Sequence, residues 1–151
     1  MSLAQIPAGT SYPPFTYVIG REAVRDYARA TGARDPRLTA DPGEVADADV
    51  PVPLGFAACF TVAPVIEMIL ADAGLGVSDG ILHGSQDFVR HRPLAVGQRL
   101  RCAAEVSDVA TRRGTDVLTV RVSCAEATEG QPVLDASSTY FSSTGDAGGS
   151  R

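Results

Sequence analysis

Few residues in this chain can move a proton or attack a carbonyl. Both histidines, His83 and His91, fall in one stretch, LHGSQDFVRHRPLAVGQRL (82–100), which also carries Arg90, Arg92 and Arg99, with Arg101 just beyond it. An imidazole can take or give a proton near neutral pH, and clustered guanidiniums can contact a phosphate, although arginines on strands are usually a solvated face. Within strand periodicity, His91 falls on the same side as His83 and reads as a surface or interface residue. Glu67 lies inside the most apolar segment, 54–73. A carboxylate there can activate water, point out to solvent, or pair with an arginine such as Arg90. The three cysteines, Cys59, Cys102 and Cys124, are an odd number in apolar surroundings, with no CxxC pair and no spaced histidine. They read as reduced, buried thiols and not as a zinc site, which places the chain in the cytoplasm. No metal or other cofactor is implied.

The elements that must position these groups follow from composition and period. The length of 151 residues fits one domain with a substantial core. The net charge of −5 and pI near 4.9 argue against nucleic-acid or anionic-membrane partners. Residues Met1 to Ala8 lack the features of a secretory signal. Residues 1–10, with Pro7 and Gly9, read as an irregular arm, 11–143 as the folded domain, and 144–151 (TGDAGGSR) as a flexible tail. Phe15 to Ile19 suits a strand. Val24, Tyr27, Ala28 and Thr31 lie on one face of a helix over 21–31, between Gly20 and Gly32. The Pro-rich, acidic segment 33–53 reads as a long loop, with a helical turn possible near Glu44 to Ala48.

Leu54 to Ala73 is apolar all round, which predicts a helix buried on most sides, kinked or divided at Pro64 and ended by Gly74. A membrane span is the rival reading, opposed by Pro64, Glu67 and the lack of aromatic or basic flanks. Four strands follow, at 81–92, 99–111, 116–126 and 133–142. Their short glycine-containing connections predict antiparallel neighbours, the first pair forming a hairpin around Gly97. Alternation of Leu100, Cys102, Ala104 and Val106, and of Leu118, Val120, Val122 and Cys124, predicts one buried face and one wet face. A helix this apolar needs the sheet to curl round it, which is the α+β hot-dog fold.

Two motifs then carry a family resemblance. His83-Gly84-Ser85-Gln86, Phe88, Arg92-Pro93, Gly97 and Leu100 resemble H-G-[D/E]-Q-x-F-x-Y-x-R-P-x-x-x-G-D-x-L of the MaoC-like hot-dog dehydratases, in their N-terminal or non-catalytic half. Tyr17-Val18-Ile19-Gly20-Arg21-Glu22, followed by Val24-Arg25-Asp26-Tyr27-Ala28, is similar to that family's opening Y-x-V-G-R-E-x-I-R-x-[FY]-A. Ser85, Arg90 and Gln98 depart from the pattern. The resemblance implies acyl thioesters of coenzyme A or acyl carrier protein as substrates, and syn removal of water across C2–C3. That reaction needs a base, an acid and donors for the thioester oxygen.

Active members supply acid and base from a loop reading G-D-x-N-P-x-H. Gly32-Ala33-Arg34-Asp35-Pro36-Arg37-Leu38 aligns with it on Gly32 and Pro36. Ala33 stands for the acid and Leu38 for the histidine; a one-residue shift offers only Thr39. Asp35 takes the structural Asn position, where it reads as a loop-turn device. Neither Ala nor Leu moves a proton. The resemblance therefore implies a non-catalytic dehydratase subunit paired with a second hot-dog protomer, a heterodimer being favoured and a homodimer possible.

Gly55 and Phe56, at the start of the long helix, offer N–H groups and a helix dipole for a thioester oxygen, or are an ordinary helix start. Cys59 is a small core residue or the wall of an acyl channel. His83 is a base, a substrate-positioning donor, or a structural strand histidine, with Gly84 and Gln86 beside it as substrate-lining residues. Gln86 can bridge a substrate or a loop backbone. Two alternatives stand beside the subunit reading. One is a stand-alone thioesterase or altered dehydratase built on Glu67 or His83. The other is a thioester-binding protein without turnover.

Overall fold

The computed structural model describes residues 2–76 and 80–143, so the expected tail at 144–151 lies outside the described residues. Five strands are present: β1 (Phe15–Val18), β2 (Ile81–Arg90), β3 (Arg99–Arg112), β4 (Thr115–Glu126) and β5 (Pro132–Ser143). They form one antiparallel sheet in the order β1-β3-β4-β5-β2. Alternation in the sequence decides its faces. Cys102, Cys124 and Leu134 stand in one row across β3, β4 and β5, and Ala104, Val122 and Ala136 in another; all six are buried. Glu105, Arg121 and Ser137 pair on the opposite, wet face.

The long apolar segment packs into the same core as that buried face. It starts as a 3-10 turn (Leu54–Ala57), continues as α3 (Ala58–Thr61) and resumes as α4 (Ala63–Ala73), ending at Gly74 in the left-handed conformation. The division at Val62 is the one Pro64 requires, because its ring crowds the preceding turn and it has no N–H to donate. By length and hydropathy, Leu54–Ala73 would suffice to cross a bilayer. Here it buries Phe56, Phe60, Thr61, Val65, Ile69, Leu70 and Ala73 within the fold.

Two expectations are corrected, the burial of Cys59 and the hairpin around Gly97. On the long helix Cys59, Ala63, Glu67 and Ala71, spaced by four, form one exposed stripe. Cys59 is accordingly exposed, while Cys102 and Cys124 are buried opposite one another across β3 and β4. β2 and β3 do not form a hairpin. β2 pairs with β5, and β4 and β5 separate it from β3. Three strand spacings are about 14 Å, and the eight residues between Arg90 and Arg99 can reach about 26 Å. Buried Leu94 anchors that crossing.

The first residues join the core instead of trailing from it. Leu3–Gln5 form a 3-10 turn in which Leu3 is wholly buried, with buried Ile6 following. Ser2 Oγ and the Ala4 N–H both donate to Asp116 on β4, which also accepts from Thr111 Oγ1 at 2.7 Å. The acidic segment 33–53 is fastened to α1 (Arg21–Ala30): Arg25 bonds Asp41 at 3.0 Å, and Arg21 reaches Asp47 at 3.5 Å. It contains α2 (Pro36–Thr39) and a 3-10 turn at Asp47–Asp49, which overlaps the helical turn expected over Glu44 to Ala48.

Candidate functional site

The loop that should carry acid and base is built for packing. Gly32 has a φ of +66°, which lets the chain leave α1 without a Cβ clash. Ala33 returns its N–H to Ala28 O at 2.8 Å and lies half-buried against the core. Asp35 caps α2 by accepting from the Arg37 N–H at 3.0 Å, with Pro36 in the first turn. Its carboxylate also pairs with the Arg37 guanidinium at 2.7 Å, and these bonds hold it below the usual carboxylate range. Leu38, which the motif comparison aligns with a histidine, is buried in the core. Of the three, only Asp35 can ionise, and it is committed to Arg37.

At the helix start, the Phe56 N–H is already bonded to Pro53 O at 3.0 Å. The Phe56 ring is fully buried and meets Tyr27 edge-on at 5.7 Å. Gly55 lies so close to Tyr27 that an added Cβ would stand 2.5 Å from the phenolic oxygen. Cys59 faces outward, but desolvation around its thiol pushes it above the ordinary range, so it is no ready thiolate. Glu67, on the exposed stripe, forms no ion pair among the described residues, with Arg90 or any other.

β2 brings His83, Gly84 and Gln86 together, and the way it does so separates the two histidines. The register slips between His83 and Ser85, a bulge at Gly84. Gly84 is required there, because a Cβ would lie 2.0 Å from the Phe141 ring. The bulge reverses the parity of the strand. His83 pairs with buried Tyr140, their rings stacked at 5.2 Å, and Gln86 pairs with buried Ser138. These face the core side. His91 lies on the opposite face, bonded to Asp135 at 2.7 Å, which holds the Asp135 carboxyl below its ordinary range. The simple period that puts both histidines on one side fails because of that one inserted residue.

The edge of the sheet thus presents a polar cluster that includes two residues absent from the sequence-based site, Ser138 and Tyr140. Ser138 donates to Gln86 Oε1 at 2.5 Å. Tyr140 Oη is buried and has no hydrogen-bond partner among the described residues. The signal was available. Along β5 the inward positions read Leu134, Ala136, Ser138, Tyr140, so the polar members fall on a face that ought to be apolar. Two surface clefts, of about 270 and 480 Å³, lie along the outer face by Asp87, Arg121, Asp135 and His91. Neither contains a residue of the sequence-based site. No three His, Cys, Asp or Glu side chains cluster as a metal site among the described residues.

Known proteins place this geometry in a class. The solved (3R)-hydroxyacyl-ACP dehydratase complex HadBC of Mycobacterium tuberculosis contains a chain 28% identical, with a TM-score of 0.66 over 89% of this chain and 96% of that one. A MaoC-like dehydratase is 26% identical with a TM-score of 0.73, over 95% of this chain and 44% of the longer one. The fold is therefore that of the MaoC-like hot-dog dehydratases. A UPF0336 protein of Saccharopolyspora erythraea is 40% identical over 145 residues, 92% of this chain and 90% of that protein. The FAS1-like dehydratase-domain-region model matches residues 7–136, and the chain belongs to that family.

Proposed function

We propose that this chain is the non-catalytic half of a two-chain (3R)-hydroxyacyl-thioester dehydratase. It shapes an acyl channel while a second hot-dog protein supplies the acid and base. The observation that carries this reading is the pair Ala33 and Leu38: the segment aligns with the catalytic motif on Gly32 and Pro36, and the two positions aligned with its acid and base hold side chains that cannot ionise. The similar chain in HadBC comes from a two-chain dehydratase complex, which supports a hot-dog partner.

β2 is the place for that partner. It is an edge strand of ten residues with one side unpaired in the sheet, and Leu82 and Val89 stand exposed on it. A long edge of this kind invites a further strand. The exposed stripe Cys59, Ala63, Glu67 and Ala71 gives the long helix a second surface to cover. The substrate is an acyl-CoA or acyl-ACP thioester in the cytoplasm, with His83, Gly84 and Gln86 near the joint edge, and Gly55, Phe56 and Cys59 along the helix wall.

Co-expression with hot-dog proteins that retain the Asp and His, followed by affinity purification and assay of enoyl-thioester hydration, tests the reading. A stoichiometric, active complex supports it. A stable homodimer that ignores every such partner counts against it. The stand-alone reading gains nothing from Glu67, which is exposed and unpaired among the described residues.

A further inference from the structure

Alternation along β2 decides which side chains share its inward face. Beyond the bulge, Gln86, Phe88 and Arg90 pair with Ser138, Ala136 and Leu134, all buried, so the three point to the same side as His83. Arg90 ends that row, and it is exposed where Gln86 and Phe88 are half-buried. The side chains level with it across the sheet, Leu134, Cys124 and Cys102, are buried and carry no charge partner for it. Its guanidinium forms no ion pair among the described residues. Glu126, opposite buried Leu100, stands on β4, two strands away, and accepts from Gln98 at 2.8 Å. Asp135 lies on the outer face and is held by His91. The motif that β2 resembles carries an aromatic residue at this position, so the strand itself does not call for a charge. A further strand added at the open edge would use the N–H and C=O groups of β2 and leave its inward side chains free.

An accessible, unpaired guanidinium presents a planar fork of donors that matches a phosphate. The proposed substrates supply one, because coenzyme A and acyl carrier protein both present the acyl group on a phosphopantetheine arm. About 13 bonds separate its sulfur from its phosphorus, ~15 Å at the advance per bond of an extended peptide. Gln86 and Arg90 stand four residues apart on β2, which is ~13 Å of strand, and the arginine side chain spans the rest. A carboxylate at the far end of an acyl chain would also match the fork, but the phosphate is the anion common to both carriers. We propose that Arg90 is a specificity residue that holds the phosphate of the phosphopantetheine arm, with the thioester beside Gln86 and the acyl chain running on past His83. This rests on the dehydratase-subunit reading and names the end of the substrate that β2 grips.

The test uses the reconstituted two-chain complex with wild-type chain, Arg90→Ala or Arg90→Lys. One enoyl group is offered as its acyl-carrier-protein, coenzyme A, phosphopantetheine and pantetheine thioesters. In wild type, removing the phosphate is expected to raise KM about tenfold or more with little change in kcat. Arg90→Ala should bring the phosphopantetheine thioester to the pantetheine level, lower the two carrier thioesters with it, and leave the pantetheine thioester unchanged. Arg90→Lys should recover part of the difference. Melting temperature and complex formation should not change, since the side chain is exposed and unpaired. A wild-type complex indifferent to the phosphate, or a phosphate effect that survives Arg90→Ala, overturns the proposal and leaves the subunit reading standing. So does a loss shared by all four thioesters, or an Arg90→Ala chain that self-associates or loses its partner, because the charge then guards the sheet edge. An Arg90→Ala effect confined to an enoyl pantetheine thioester that ends in a carboxylate overturns it as well. A wild-type complex inert on every thioester removes the parent reading, and this one with it.

Discussion

The phenolic oxygen of Tyr27 lies against the Cα of Gly55, where an added Cβ would stand 2.5 Å from it. This contact joins α1 to the start of the long helix and explains the glycine in that helix's first turn. Gly55→Ala forces the Tyr27 ring to move and is expected to cost about 1–3 kcal/mol. In a Tyr27→Phe background the clashing atom is gone, and the next ring atom is 3.7 Å away. Adding Gly55→Ala there should cost much less. Urea unfolding of the four proteins reads the coupling directly, and additive losses would show that the contact does not set the cost.

Gly84 makes the corresponding prediction on β2. Its Cβ would lie 2.0 Å from the Phe141 ring, so Gly84→Ala should destabilise the chain by more than about 1 kcal/mol. Phe141→Leu should recover part of that loss. Because the bulge sets which face His83 occupies, the same variant should shift the His83 imidazole resonances by NMR and leave those of His91 unchanged.

How much of this was legible follows from the kind of physics involved. Strands with alternating apolar residues were readable to within a residue or two, as Leu100, Cys102, Ala104 and Val106 illustrate, because burial on one face imposes a period of two. Pro64 and Gly74 acted as their backbone constraints require. The reading of Ala33 and Leu38 rests on residue chemistry alone, since neither side chain ionises. Strand order was not legible: nothing local distinguishes a hairpin at Gly97 from a crossing anchored by Leu94. The bulge at Gly84 was equally hidden, because it depends on the distant Phe141, and with it went the separation of His83 from His91. Leu3 was missed because an arm rich in proline and glycine gives no sign that one side chain will be buried.

Asp116 makes the fastening of that first turn depend on pH. Burial would raise its carboxyl, but the hydrogen bonds from Ser2, Thr111 and the Ala4 N–H outweigh burial and hold it below the ordinary 3.8. A carboxyl depressed in the folded state contributes stability above its unfolded value, and that contribution is lost as pH falls through the folded value. Asp116→Asn should therefore cost about 1–2 kcal/mol at pH 7, and the difference from wild type should shrink below pH 3.8. Denaturant midpoints across that range check it. Exchange of the Ala4 amide should accelerate in the variant at neutral pH.

The edge strand separates folding from assembly. Leu82 and Val89 are 64% and 59% exposed, so replacing both by lysine should change the stability of the single chain by no more than about 0.5 kcal/mol each. The same charges at a paired edge would be desolvated, and the partner should no longer co-purify. Retention of the complex by Leu82→Lys/Val89→Lys would move the interface away from β2.

The most direct measurement is the rate of enoyl-thioester hydration by the purified chain alone, by its hot-dog partner alone, and by the two mixed. The chain alone should show no turnover, the mixture should be active, and a partner stripped of its Asp and His should abolish that activity. Turnover by this chain alone, lost on Glu67→Gln or His83→Ala, would contradict the claim that its proton-transfer pair must come from elsewhere.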